Sequence, residues 1–168
     1  MSANLETVVE TLESIGTTTI VSCPVSPMQI PGIGAGAEGA LDALGTQFTL
    51  KVPKRGVIVS ATYYDPDFEG TQVNLHLFNK KVAAIADNAA WTLSDGDAPY
   101  LVKTLEFVSY VTHSDTVYIF DLDSIGKAYT APSGLFWIQA ECIAICTIAV
   151  APLFQLQIQS FDPSFKEN

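Results

Sequence analysis

Few residues of this chain could do chemistry. Histidine is the usual general base near neutral pH, and there are two, His76 and His113. His76 sits in Val-Asn-Leu-His-Leu-Phe, where two-residue alternation turns it away from Val73, Leu75 and Leu77. That placement reads as a structural or surface histidine. His113 precedes Ser114 and Asp115, but neighbouring side chains on an extended chain point apart, so adjacency is not triad geometry. Neither His-Glu-x-x-His nor Gly-x-Ser-x-Gly occurs. The chain reads as non-enzymatic, with no catalytic residue assigned.

Asp65/Asp67, Asp95/Asp97 and Asp121/Asp123 form three Asp-x-Asp pairs. Two carboxylates so spaced can reach a hard cation from a loop, yet none has the full calcium-loop pattern. Asp65-Pro66-Asp67 and Asp95-Gly96-Asp97 are turn compositions whose carboxylates cap backbone N–H groups. Glycoside hydrolysis needs two carboxylates fixed across a cleft, which spacing along the chain does not provide. The cysteines are Cys23, Cys142 and Cys146. In a continuous strand the last two point inward with α-carbons about 13 Å apart, beyond disulfide reach. They read as small core residues of a protein made in a reducing compartment. Gly32-Ile33-Gly34-Ala35-Gly36 has the look of a phosphate-cradling turn, but Pro27 and Pro31 interrupt any strand leading into it and Ala37 follows where a glycine is wanted. No metal and no cofactor are expected.

Aromatic faces can stack on sugars, and Trp91, Trp137 and Tyr63-Tyr64 are the candidates. Trp137 alternates with Leu135, so it is expected in the core. Trp91, beside Asn88-Ala89-Ala90, is expected under a loop or as an interface anchor.

The elements that must position these groups are strands. Alternation marks Phe48, Leu50 and Val52, then Val57, Val59, Ala61 and Tyr63, then Val73, Leu75 and Leu77. Asp65, Pro66, Asp67 and Gly70 turn the chain between the last two runs. Further strands are expected near 101–110, 116–122, 135–142, 143–151 and 153–161. In the last, Phe154, Leu156 and Ile158 alternate with Gln155, Gln157 and Gln159. That outer row of neutral amides is a candidate oligomer contact. With no helical crossover between the later strands, the spacing predicts an all-β, antiparallel sandwich.

The first 45 residues read differently. Leu5, Val8, Val9 and Leu12 recur at helical spacing between Asn4, a cap, and Gly16, a terminator. The spacing predicts a short amphipathic helix whose apolar stripe docks on the body or on a neighbouring subunit. Three prolines and five glycines between residues 24 and 45 then read as an arm or long loop. Two regions follow: an arm over 1–45 and a β-sandwich over 46–168.

At 168 residues and 18.0 kDa the chain makes one domain. Eighteen acidic residues against eight basic ones give a net charge of −10, which repels phosphate. The largest basic cluster is Lys51, Lys54 and Arg55, too small for a nucleic-acid footprint. The N-terminus lacks a basic start and an apolar stretch, so nothing marks it for export. The most apolar tract, 142–154, is too short to span a bilayer. Neither nucleic acid nor membrane is an expected partner.

Three stretches carry a resemblance: Gly56 through Lys81, Ala84 through Phe107, and Ser133 through Val150 followed by Phe154 through Phe161. Leu75-His76-Leu77-Phe78 closes a strand after an acidic turn. Asp87 through Asp97 then makes an Asp-Asn-x-Ala-Trp-x-Leu-Ser-Asp-x-Asp loop, and Leu135-Phe136-Trp137 opens a late strand. Over roughly residues 46–161 the chain resembles a family of tailed-bacteriophage virion structural proteins. It departs from that pattern at Lys80-Lys81, where a turn of small residues or proline is usual. The resemblance implies a jelly-roll-like sandwich displayed in many copies on the virion, favouring the capsid exterior. The implied role is decoration: a homo-oligomer, with a trimer favoured, binding the major capsid protein or another virion protein and stabilising the assembled lattice. The alternative is a receptor- or glycan-binding module of a head or tail fibre.

Overall fold

The computed structural model describes residues 18–34, 36–67, 69–114 and 117–166, the side chains of 112–114 excepted. The helix expected around Leu5, Val8, Val9 and Leu12 lies outside the described residues, as does the side chain of His113.

The fold is all-β, with three antiparallel sheets packed in a sandwich-like arrangement. Its strands are β1 (Thr19–Gln29), β2 (Ala37–Glu38), β3 (Ala43–Lys51), β4 (Arg55–Asp65), β5 (Val73–Phe78), β6 (Leu101–Phe107), β7 (Val111–Ser114), β8 (Val117–Leu122), β9 (Lys127–Thr130), β10 (Leu135–Cys142), β11 (Cys146–Thr147) and β12 (Leu153–Ser160). One sheet runs β1-β12-β4-β8-β7, with β9 also paired to β4; the other runs β3-β10-β5-β6; β2 and β11 form a small third. A single 3₁₀ turn, Ala98–Tyr100, leads into β6. Among the described residues no helix is long and apolar enough to cross a membrane.

Alternation decides which side chains meet between the sheets. On β12, Phe154, Leu156 and Ile158 are fully buried while the glutamines between them are half-buried. Aromatic pairs stitch the layers: Phe48 to Phe154 at 5.5 Å between centroids, Tyr63 to Phe107 at 5.4 Å and Tyr129 to Phe136 at 4.7 Å. Each such ring buried contributes roughly 1.5–3 kcal/mol by leaving water.

Three expectations need correction. First, the sandwich does not begin at residue 46. β1 pairs with β12 from Thr19↔Ser160 to Gln29↔Leu153, with a break in register between Cys23 and Met28. Proline is tolerated on an edge strand, where one row of N–H groups has no ladder partner, so Pro24 and Pro27 bend β1 without expelling it. Removing residues 1–45 would therefore strip β1, β2 and the start of β3.

Second, residues 143–151 are not a full strand. β10 ends at Cys142, Ile143 to Ile145 turn, and only Cys146–Thr147 pair, with β2. Third, Trp137 and Leu135 are half-buried on the outer face, while Phe136 and Ile138 fill the core. The alternation on β10 is real, but its parity is the reverse of the one expected.

The segment joining β5 to β6 lies along residues 41–45 like an added strand. Ala43 and Asn88/Ala89 exchange backbone hydrogen bonds of 2.8 Å, and Trp91 N–H donates to Leu41 O at 2.8 Å. The Asp87 carboxylate accepts from Gly45 N–H (2.5 Å) and Gly34 N–H (2.6 Å). Gly45 has a φ of +69°, and a Cβ there would strike the Pro31 carbonyl, so only glycine suits the position.

Candidate functional site

His76 and the Asp65–Asp67 pair are engaged by hydrogen bonds within the fold. His76 points outward from β5, as its parity required, but the β5–β6 segment covers it. Its Nδ1 lies 3.0 Å from Thr104 Oγ1 and its Nε2 lies 3.0 Å from Glu141 Oε2. Asn74 Nδ2 donates to the same Glu141 oxygen at 2.8 Å. Trp91 stacks flat on the imidazole, 4.1 Å between centroids and 7° between planes. Burial pulls the His76 pKa below its ordinary value, with Glu141 pulling the other way. With both ring nitrogens engaged and one face covered, this cluster fastens a loop to a sheet. Trp91 is itself part of the β5–β6 segment, and its half-buried ring packs that segment onto His76.

Of the Asp-x-Asp pairs, only Asp65 and Asp67 bring their carboxyl groups together. Asp65 Oδ2 accepts from Thr71 N–H at 2.8 Å, and Asp67 Oδ2 accepts from Ala149 and Val150 N–H at 2.7 and 3.1 Å. Burial, then the contact with Asp67, pushes the Asp65 pKa up to about 7. Burial works against ionised Asp67, but the Asp65 hydrogen bond and the two backbone donors hold its pKa below the ordinary value. The pair is a carboxyl donating to a carboxylate. Asp97 instead accepts from Ser94 Oγ at 2.9 Å, and Asp121 from Thr62 Oγ1 at 2.8 Å. No group of three or more His, Cys, Asp or Glu among the described residues is placed to hold a metal ion.

The glutamine row is also engaged within the chain. Gln155 Nε2 donates to Pro24 O and Val25 O (3.0 and 2.9 Å), and Gln157 Nε2 to Ser22 Oγ (2.9 Å). β12 is an interior strand, and two of these amides tether β1. Gln159 is half-buried on the same face.

Open clefts are found where two sheet edges lie side by side. β1 ends one sheet and β3 ends the other. Between them runs a cleft of about 190 Å³ lined by Cys23, Val25, Met28, Leu50, Lys51 and Phe165, among others. Lys51 and Phe165 also line a second cleft, of about 460 Å³, which continues past Lys54, Gly134, Asp162 and Lys166. Lys51, Lys54 and Lys166 are exposed. Lys51 Nζ lies 3.3 Å from Lys166 O and 5.9 Å from the Phe165 ring centroid. Among the described residues lining this cleft Asp162 is the acidic one; the Ser164 hydroxyl, then its backbone N–H and that of Lys54, keep its carboxyl below the usual range. Ile20 and Val25 on β1 remain 63% and 53% exposed.

No family model matches the chain, and no curated protein or solved structure matches it. The site therefore rests on its own geometry. Sequence reasoning found Lys51 and Lys54 but missed Lys166 and Phe165, which are more than 100 residues away along the chain. It also missed the edge of β1, whose prolines were the available signal. A third cleft, of about 400 Å³, is lined by Trp137, Tyr100, Lys80, Asn79, Pro132 and Ser133. Lys80 Nζ sits 4.4 Å above the Tyr100 ring centroid there.

Proposed function

We propose that the chain is a non-enzymatic virion structural protein of a tailed bacteriophage, a decoration protein held on the assembled capsid through the cleft between β1 and β3. The strand orders β1-β12-β4-β8 and β3-β10-β5-β6 are those expected of an eight-stranded jelly roll, which supports the finer fold assignment. Capsid and lectin domains share that winding, and a fold does not set a function.

The observation that carries the reading is the cleft itself. A chain of net charge −10 places Lys51 in this cleft and Lys54 and Lys166 in the one that adjoins it, and β1 beside them exposes Ile20 and Val25. An edge strand offers backbone groups for pairing, and clustered lysines select an acidic partner while the remaining surface repels one. The partner is thus an acidic, extended segment of the shell protein. Repetition around a closed oligomer, a trimer for preference, multiplies a weak single contact.

Attachment of the chain to preformed shells tests this. Lys51→Glu with Lys54→Glu replaces two attractions by repulsions, about 2 kcal/mol together or about 30-fold in affinity at low salt. Attachment unchanged by the double reversal, and unchanged by salt, would overturn the proposal. The glycan-binding reading draws on the Trp137–Tyr100 cleft, which offers two half-buried rings on the outer face.

A further inference from the structure

The turn between β10 and β11 brings two thiols together that the sequence spacing had kept apart. Cys142 closes β10, Cys146 opens β11, and their sulfurs are 3.1 Å from each other. That is a contact in which one thiol donates to the other, only about 1 Å beyond the length of an S–S bond. The expected α-carbon separation assumed a continuous strand, and the turn at Ile143, Ala144 and Ile145 removes that assumption.

The two sulfurs differ in access. Cys142 is fully buried on the inner face of its sheet, whereas Cys146 is partly exposed beside Ile145, which is 77% exposed. Their surroundings are also pinned. Cys146 and Thr147 pair with Glu38 and Ala37, and Asp67 holds the N–H groups of Ala149 and Val150. A reagent from solvent therefore meets Cys146 first, with Cys142 directly behind it.

We propose that Cys142 and Cys146 are a redox-modifiable pair, closing to an intrachain disulfide when a small-molecule disulfide reacts at Cys146. The Cys146 thiolate attacks one sulfur of the reagent, whose other half leaves as a thiolate and takes up a proton. Cys142 then gives up its proton to solvent, and its sulfur attacks Cys146 Sγ and displaces the second half. Two protein thiols are oxidised and one reagent disulfide is reduced to two thiols, so electrons and protons balance. The shared contact supports this division of roles. The Cys142 thiol donating to Cys146 lowers the Cys146 pKa against the effect of burial, and the same contact, then burial, raises that of Cys142. The pair operates whatever the chain binds, so it stands apart from the decoration reading.

The test treats the full folded chain with oxidised glutathione, blocks remaining thiols with an alkylating reagent, and weighs the tryptic peptide covering 128–166, which holds both cysteines and excludes Cys23. The expected product has lost two hydrogens, carries neither glutathione nor alkyl group, and reverts with dithiothreitol. Cys142→Ser should stop at a glutathione adduct on Cys146, and Cys146→Ser should leave Cys142 unmodified. A native chain that accumulates the adduct, links through Cys23 or to a second chain, or does not react would overturn the proposal. The native-chain mass decides the matter even where a variant fails to fold.

Discussion

Asp65→Asn is the substitution that most sharply tests the reading of the paired carboxyls. In the native chain Thr71 N–H occupies Asp65 Oδ2, two backbone N–H groups occupy Asp67 Oδ2, and buried Asp67 Oδ1 has no hydrogen-bond partner among the described residues. One proton shared between the two side chains accounts for the opposite shifts of the two groups. Because the folded pKa of Asp65 is raised to about 7 and an unfolded aspartate titrates near 4, the folded chain holds the extra proton between about pH 4 and 7. Stability from this group is full below about pH 4 and is lost as pH rises through 7. Asp67, with its pKa lowered, acts oppositely, and its contribution is lost only as pH falls below about 4. At about 1.36 kcal/mol per unit the Asp65 shift has a ceiling of about 4 kcal/mol. Asp67 is half-buried, and screening by solvent reduces the expected effect to about 1–2 kcal/mol.

An asparagine amide reproduces the protonated carboxyl, its Nδ2 donating to Asp67 and its Oδ1 accepting from Thr71. Urea unfolding from pH 5 to 8.5 should therefore give a flatter stability profile for Asp65→Asn than for the native chain. The variant should come closest to the native chain at the low end of this range and exceed it by about 1–2 kcal/mol at pH 8. A variant less stable at pH 8, or an unchanged slope, would refute the shared proton.

Trp91→Ala should cost about 2–3 kcal/mol, less than a fully buried tryptophan because Trp91 is half-buried. By opening His76 to water it should also raise the histidine pKa towards its ordinary value, visible in an NMR titration; a His76 titration identical to the native one would contradict the cluster's geometry. Trp137→Ala on a glycan array separates the alternative function: if sugars bind the native chain and the variant loses them, the Trp137–Tyr100 cleft displaces the β1–β3 cleft as the functional site.

How much of this was legible in the sequence follows from what local pattern can encode. β5, β10 and β12 announce themselves because apolar residues alternate along them, and Pro66 with Gly70 marks the return between β4 and β5. β1 was hidden because Pro24 and Pro27 signal a loop everywhere except on an edge, and edge position is a property of the whole sheet. The thiol pair was hidden because Ile143-Ala144-Ile145 turns without glycine or proline. Trp137 was misplaced by one step of parity, which reverses a side chain's face. The His76, Glu141 and Trp91 cluster joins three segments whose meeting depends on strand order, and no spacing along the chain announces it. The same holds for Phe165 and Lys166 beside Lys51.

The central claim is that the β1–β3 cleft seats the chain on an assembled shell. A reconstruction of particles assembled with the chain present measures it most directly. Density for the sandwich is expected on the capsid exterior, with an acidic segment of the shell protein along Lys51, Lys54 and Lys166. Particles lacking the chain, or holding it by another face with that cleft open to solvent, would contradict it.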